Sequence, residues 1–421
     1  MKSTIRAGAA REVIRIPDGF FPYHSFNGRV LSAFHDDVCV RAVMIENESD
    51  SIMFVSVDTG DITDKWLPVI SGLSGVKEDH IFLTATHTHE APYIDRTIPE
   101  NIRDTEKTEQ FVENFKDALR AAVCGAKESL RQARAGFGIG TCNANVNRDV
   151  RADDGSFFTG INPHGVSDHN VYVLKLEDMD KKPIAFINNY AVHSSIMLFS
   201  DAFEGGMMLS SDLAGAAMCH VERLTGAVSL FTMAPAADQN PLMTSSRMER
   251  SGGEVNITDE GAEGFALVRG LGMLLGDEIV YVGKNIGKMT DSADIKAACS
   301  VVRAPGQKKP EQHPGDPLPA DFIYEDGDPL DIRLGVIALA DTAFAGIAGE
   351  IMTSTGMDIR KVLLSAGYSN AMVMTQCNGS NSYMGDDEAY DLHKFPAMAS
   401  YAKKGISGIL TEGIAGLCGK M

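Results

Sequence analysis

Apolar and polar positions alternate along the first two hundred residues in runs that end sharply in small or polar residues. Residues 39–45 and 51–58 are rich in β-branched side chains and flank the polar stretch Glu46-Asn47-Glu48-Ser49-Asp50, which predicts a hairpin. A second pair is predicted at 170–176 and 184–192, around Asp178-Met179-Asp180-Lys181-Lys182, and a third at 332–340 with 343–348. A short strand is expected at 230–233. Apolar residues at helical spacing predict helices over 63–73, 108–127, 211–224 and 263–283, with a last one over 397–410. Two segments, 244–261 and 303–329, show neither period, and the second holds six of the chain's 16 prolines, too many for a helix or a central strand. Both are expected to run over the surface, within reach of an active site. The fold class that follows is mixed α/β (α+β), a single large domain over residues 1–421 with hairpin-rich sheets flanked by helices.

The most informative segment is Thr84-Ala85-Thr86-His87-Thr88-His89-Glu90-Ala91, which follows the apolar run Ile81-Phe82-Leu83. Side chains two apart on a strand share a face, so His87 and His89 are expected to project together from its C-terminal end. Other apolar runs end the same way. They deliver His193 after Tyr190-Ala191-Val192, Asp238 after Pro235-Ala236-Ala237, Glu350 after Ala348-Gly349, and Tyr383 in the loop from Asn378. Two imidazoles, a carboxylate and an oxygen donor form a nitrogen and oxygen set suited to zinc. Taken singly, each has a plainer reading: His193 as a core histidine, Glu350 as a helix cap, Tyr383 as packing.

The order of these segments resembles the neutral, or non-lysosomal, ceramidase superfamily, a group of zinc-dependent amidases. The resemblance rests on Ile5-Arg6-Ala7-Gly8-Ala9-Ala10-Arg11-Glu12-Val13-Ile14, Ala85-Thr86-His87-Thr88-His89, Asn145-Val146-Asn147-Arg148 and Ser211-Asp212-Leu213-Ala214-Gly215, and it spans roughly residues 4–415. It implies that His87, His193, Glu350 and Tyr383 bind Zn2+, and that His89 stands beside the metal to shuttle a proton or stabilise the developing oxyanion, its role as a further ligand left open. It also implies that Arg148 holds a polar or anionic part of the substrate and that Tyr390 supplies a nearby hydroxyl. Asp238 shares the handling of protons with His89.

Three departures stand out. Glu90-Ala91-Pro92 replaces the family's usual Ser-Gly-Pro. Ala237-Asp238-Gln239-Asn240-Pro241 stands where ceramidases proper carry Gly-Asp-Val-Ser-Pro, so Asn240 takes the serine's place on the substrate side. That substitution excludes a serine acyl-enzyme there. The stretch from Tyr383 to Tyr390 is shorter than in ceramidases, and the carboxyl-terminal immunoglobulin-like domain of those enzymes is expected to be lacking.

Composition narrows the partners. The 421 residues carry 38 basic and 57 acidic side chains, a net charge of −19, which argues against nucleic acid and anionic membrane surfaces. Seven scattered cysteines without CxxC spacing suit a reducing compartment. No secretion signal or membrane span is read from the sequence, so a cytoplasmic enzyme is expected, with a small-molecule substrate, no membrane insertion and room for a homo-oligomer. The expected reaction is hydrolysis of an amide, less readily an ester, in a small polar molecule other than ceramide. Two rivals remain: an amidohydrolase-type barrel, which also opens on a His-x-His strand, and a metal-retaining binding protein without catalysis.

Overall fold

The structure is a computed structural model that describes residues 3–25, 29–96, 100, 103–251, 254–311, 318–319 and 321–421. Its centre is an eight-stranded sheet built from β1 (Arg6–Val13), β2 (Cys39–Glu46), β3 (Ser51–Val57), β4 (Ile81–Ala85), β5 (Arg131–Thr141), β6 (Asn170–Asp178), β7 (Pro183–Tyr190) and β8 (Val228–Met233). The strand order is β8-β7-β6-β5-β1-β2-β3-β4. The interior pairs are antiparallel, whereas β3 with β4 and β7 with β8 run parallel. A second sheet holds β9 (Ile295–Gln307), β10 (Asp326–Leu339), β11 (Thr342–Ile347) and β12 (Asn370–Met374) in that order, and its last pair is parallel too.

Both faces of the strands β2, β3 and β4 are buried, for a reason visible in β2. Val40, Ala42 and Met44 pack beneath the helix α1 (Thr105–Glu128), against Phe111 and Phe115. The alternate residues Val43 and Ile45 point the other way, into a core shared with Phe344, Met372 and Met374 of the second sheet. Phe54, Phe82 and Phe344 meet edge-on there, with centroids 5.9 and 5.2 Å from Phe54. Helices α2 (Asp212–Thr225) and α3 (Phe265–Asn285) cover the β6 to β8 end of the first sheet. Helices α4 (Thr353–Ser365) and α5 (Ile406–Cys418) cover the outer face of the second. The result is four layers, helices on sheet on sheet on helices. It is mixed α/β, as expected, and not a parallel barrel.

Three sequence expectations need correction. The segment 244–261 contains a two-stranded ribbon, Ser246–Ser251 with Glu254–Asp259; Met248 and residues 256–259 are exposed, and an exposed strand imposes no apolar alternation. The proline-rich segment is strand at both ends. Pro305 is tolerated because the register shifts between Ala304 and Gly306, a bulge that needs no ladder donor. The last helix is broken: Phe395–Met398 is one turn, and α5 starts only after Gly405, whose φ of 94° a helix cannot hold. Among the described residues no helix is long and apolar enough to cross a membrane, and all seven cysteines are free.

Candidate metal centre

Parallel strands leave a crevice at their C-terminal ends where neighbouring connections diverge. Both sheets of this chain point such ends to one place. From β4 come His87 and His89, from β7 His193, from β8 Asp238 and Gln239, from β11 Glu350, and from β12 the loop that leads to Tyr383. The short strands Glu350–Ile351 and Tyr383–Met384 pair in parallel with Glu350 opposite Tyr383, which sets two oxygen donors side by side.

Strand alternation is not what unites His87 and His89. The strand ends at Ala85, and His87 takes a left-handed φ of 63°. That turn swings its ring to a 77° angle and a 4.7 Å centroid distance from His89. The loop is held by Thr86 N–H donating to Val57 O at 2.9 Å and by the Thr88 hydroxyl donating to Ser210 O at 2.9 Å. Gln376, Asn378 and Ser382, in the loop before Tyr383, are also left-handed, with φ of 51°, 56° and 64°. Non-glycine residues in this region cost on the order of 1–3 kcal/mol each and persist where their surroundings over-determine them. Asn378 shows how: it clamps the strand β4, receiving Leu83 N–H and donating to Ile81 O, both at 2.7 Å.

Backbone carbonyls fix the tautomers. His87 Nδ1 donates to Gly60 O and His193 Nδ1 donates to Gln239 O at 2.9 Å, which leaves the lone pair of each ring on Nε2. Those two nitrogens lie 3.4 and 3.2 Å from Glu350 Oε2, and Tyr383 Oη is 3.3 Å from His193 Nε2. The other Glu350 oxygen accepts from Gln376 Nε2 at 2.9 Å. Two lone pairs facing a carboxylate call for positive charge between them.

The ionisation pattern agrees. Burial would raise Glu350, but His87 and His193 hold it well below the usual carboxylate range. Burial would lower His87, but Glu350 raises it. His193 is pushed down to about 4 by burial and by Arg148. A divalent cation satisfies all of these groups at once. The imidazole nitrogens of His87, His89 and His193 also lie within 4.8 Å of one another, so the cluster could hold a metal through either overlapping set. His89 Nε2 has no hydrogen-bond partner in either case, and His87 Nε2 has none either.

The remaining sequence-predicted residues divide. Arg148 is buried against this cluster, its guanidinium 5.4 Å over the Tyr383 ring and 5.0 Å over Phe395, with one arm donating to Ala237 O. Asp238 does not reach the cluster through any of its hydrogen bonds. Its carboxylate accepts from Thr353 N–H and hydroxyl at 2.9 and 2.8 Å, capping α4, and from Asn147 Nδ2 at 3.3 Å. Replacing it with alanine is expected to cost about 1–3 kcal/mol of stability, with metal content unchanged; denaturant unfolding and elemental analysis check this together. Asn240 reaches only Gly160 O, at 3.4 Å. The Tyr390 hydroxyl is spent on Ser400 Oγ and Ala402 O, away from the histidines. Gly60, Gln239 and Gln376 were not singled out from the sequence. A carbonyl contact leaves no mark in residue type, although Gln376 does follow Thr375 at the start of the polar run that ends β12.

Beside the cluster lies a recess of about 400 Å³. Asp61, Thr63, Asp95, Arg96, Lys309, Ser380, Asn381 and Ser382 line it, with Leu330 and Tyr401. It shares walls with the centre, since Asp61 follows Gly60 and Ser382 O accepts the Glu350 N–H at 2.9 Å.

Comparison with solved structures places the fold. A ceramidase complexed with C2 superposes with a TM-score of 0.76 at 15% identity, covering 99% of this chain and 75% of that one. The neutral ceramidase from Pseudomonas aeruginosa superposes with a TM-score of 0.74 at 16% identity, covering 100% of this chain and 75% of that one. No curated protein sequence matches the chain. The sequence profile of the neutral/alkaline non-lysosomal ceramidase N-terminal region matches residues 25–253, more than half of the chain and the part that carries His87, His89, Arg148 and His193, and on that match the protein belongs to this family.

Proposed function

We propose that the protein is a zinc-dependent hydrolase that cleaves the amide bond of a small polar molecule. The observation that carries this is the pair of imidazoles whose Nδ1 atoms are tied to Gly60 and Gln239, so that both Nε2 lone pairs face Glu350. His87, His193, Glu350 and Tyr383 would hold the ion, a mixed nitrogen and oxygen set of the kind zinc takes in hydrolytic sites. The ion supplies Lewis acidity for the substrate carbonyl and lowers the pKa of water. The chain's own groups do the rest.

His89 is half-buried and its Nε2 is unpartnered, so it can take a proton from water and return it to the leaving amine. Burial, followed by the charge of the neighbouring His87, holds its pKa well below the ordinary value, which keeps it a neutral acceptor at pH 7. Arg148 keeps Tyr383 in place from behind, a positioning role. Family membership supports amide hydrolysis, and the polar lining of the recess supports a short, polar substrate in preference to a lipid. An acyl chain gains nothing against Asp61, Arg96 and Lys309, and desolvating them costs free energy.

Two measurements test the reading. Chelation should abolish hydrolysis and zinc should restore it. Turnover of soluble N-acyl amino acids should exceed that of long-chain ceramide in mixed micelles by kcat/KM; the reverse order would overturn the substrate class and leave the metal centre intact. Equimolar zinc with no turnover on any amide or ester would favour a binding protein.

A further inference from the structure

Among the described residues, the recess beside the metal centre holds a cation, Lys309, with no carboxylate at ion-pair distance. Three of its charged neighbours are already matched. Arg96 Nε is bonded to Asp61, and Asp95 accepts from Lys65 at 2.6 Å and from Trp66 Nε1 at 3.0 Å. Lys309 differs. Its ammonium lies 3.4 Å from Ser382 Oγ and 4.0 Å over the Tyr401 ring, and among the described residues no carboxylate lies within ion-pair distance of it. It is half-buried, and burial followed by the charge of Arg96 pushes its pKa down, the behaviour of a cation lacking a counter-ion. A partly desolvated charge without a partner is unfavourable, and a ligand of opposite charge would complete it.

We propose that Lys309 binds a carboxylate of the substrate and thereby sets its specificity for amides that carry an acid close to the scissile bond. The inference rests on the hydrolase reading and names the substrate class for that site. A carboxylate fits better than a phosphate, because Asp61 and Asp95 line the same recess and would repel a second negative charge. Proximity fixes the chemistry further. Lys309 contacts Ser382, the residue before Tyr383, so a group it holds stands only a few bonds from an amide at the metal centre. An N-acyl α-amino acid has that spacing, and a recess of about 400 Å³ admits one of ordinary size. The Tyr401 ring under the ammonium orients it without neutralising it.

The test is equilibrium binding of N-acetyl amino acids, and of their neutral carboxamides, to the zinc-loaded wild-type chain, Lys309→Met and Lys309→Arg. Wild type should hold the acids about 10- to 100-fold tighter than the carboxamides, the usual worth of a charge-assisted bond. Lys309→Met should erase that preference and Lys309→Arg should keep most of it, with zinc content equal in all three. Equal affinity for acids and carboxamides in wild type, binding of neither, or a preference that survives Lys309→Met would overturn the proposal. Binding is read apart from turnover. Acids held through Lys309 but never cleaved would sink the amidase reading and leave the anion site standing, whereas cleavage of neutral amides without charge preference would do the opposite.

Discussion

Purified His87→Ala and His193→Ala proteins are expected to retain almost no metal. Each ring contributes an Nε2 lone pair that its own Nδ1 hydrogen bond has oriented, and each faces Glu350 Oε2 within 3.4 Å. Losing even an outer hydrogen bond to a ligand histidine costs about 10- to 100-fold in metal affinity, so losing the ring itself should exceed about 100-fold. Elemental analysis after dialysis is the direct measurement. Tyr383→Phe should lose less, since a half-buried phenol whose pKa is raised by burial and by Glu350 is the poorest donor of the four. Full metal in both histidine variants would refute the assignment, and so would an anomalous-scattering peak elsewhere.

His89→Ala should behave in the opposite way, keeping its metal while activity falls by about 10²–10⁴-fold, the range for a general acid or base. The geometry behind this is a half-buried imidazole inclined at 77° to the His87 ring and 6.1 Å between centroids from His193, with an unpartnered Nε2. Its nitrogen also falls inside the group of three that could chelate directly. Metal content therefore decides: an empty His89→Ala protein would make His89 a ligand and shift the proton to another group. His89→Gln, which retains an acceptor without a usable pKa, should resemble alanine in rate and wild type in metal.

Much of this was readable before any coordinates. Strands such as β2 and β3 announce themselves because both faces are buried in an unbroken apolar run, and the polar residues that end each run mark the crevice. What the linear pattern could not convey was how the ends turn. His87 reaches its place through a left-handed backbone, which no residue type demanded there. Asp238 sat at the right strand end and looked reactive, yet its oxygens are committed to Thr353 and Asn147, a fact of three-dimensional register. The ribbon of Ser246–Ser251 with Glu254–Asp259 and the bulge at Pro305 escaped for the same kind of cause: backbone pairing there proceeds without the apolar alternation that betrays it elsewhere. Lys309 lay in the segment expected to reach an active site, but nothing in its neighbours Lys308 and Pro310 separated it from an ordinary surface lysine.

The histidines and the acidic pair come from different layers, His87 and His193 from strands of the eight-stranded sheet and Glu350 and Tyr383 from the rim of the four-stranded one. His193 and Glu350 are 157 residues apart in sequence. An ion bound by all four would thus act as a further clasp across two slabs that meet through apolar side chains and, at that end, through the bonds of Asn378 to β4 and of Thr353 to Asp238. Any free energy of ion binding would then also oppose the slabs sliding or parting. The reacting edge of the molecule would become one of its mechanical anchors, and starvation for metal would loosen the body along with silencing the chemistry.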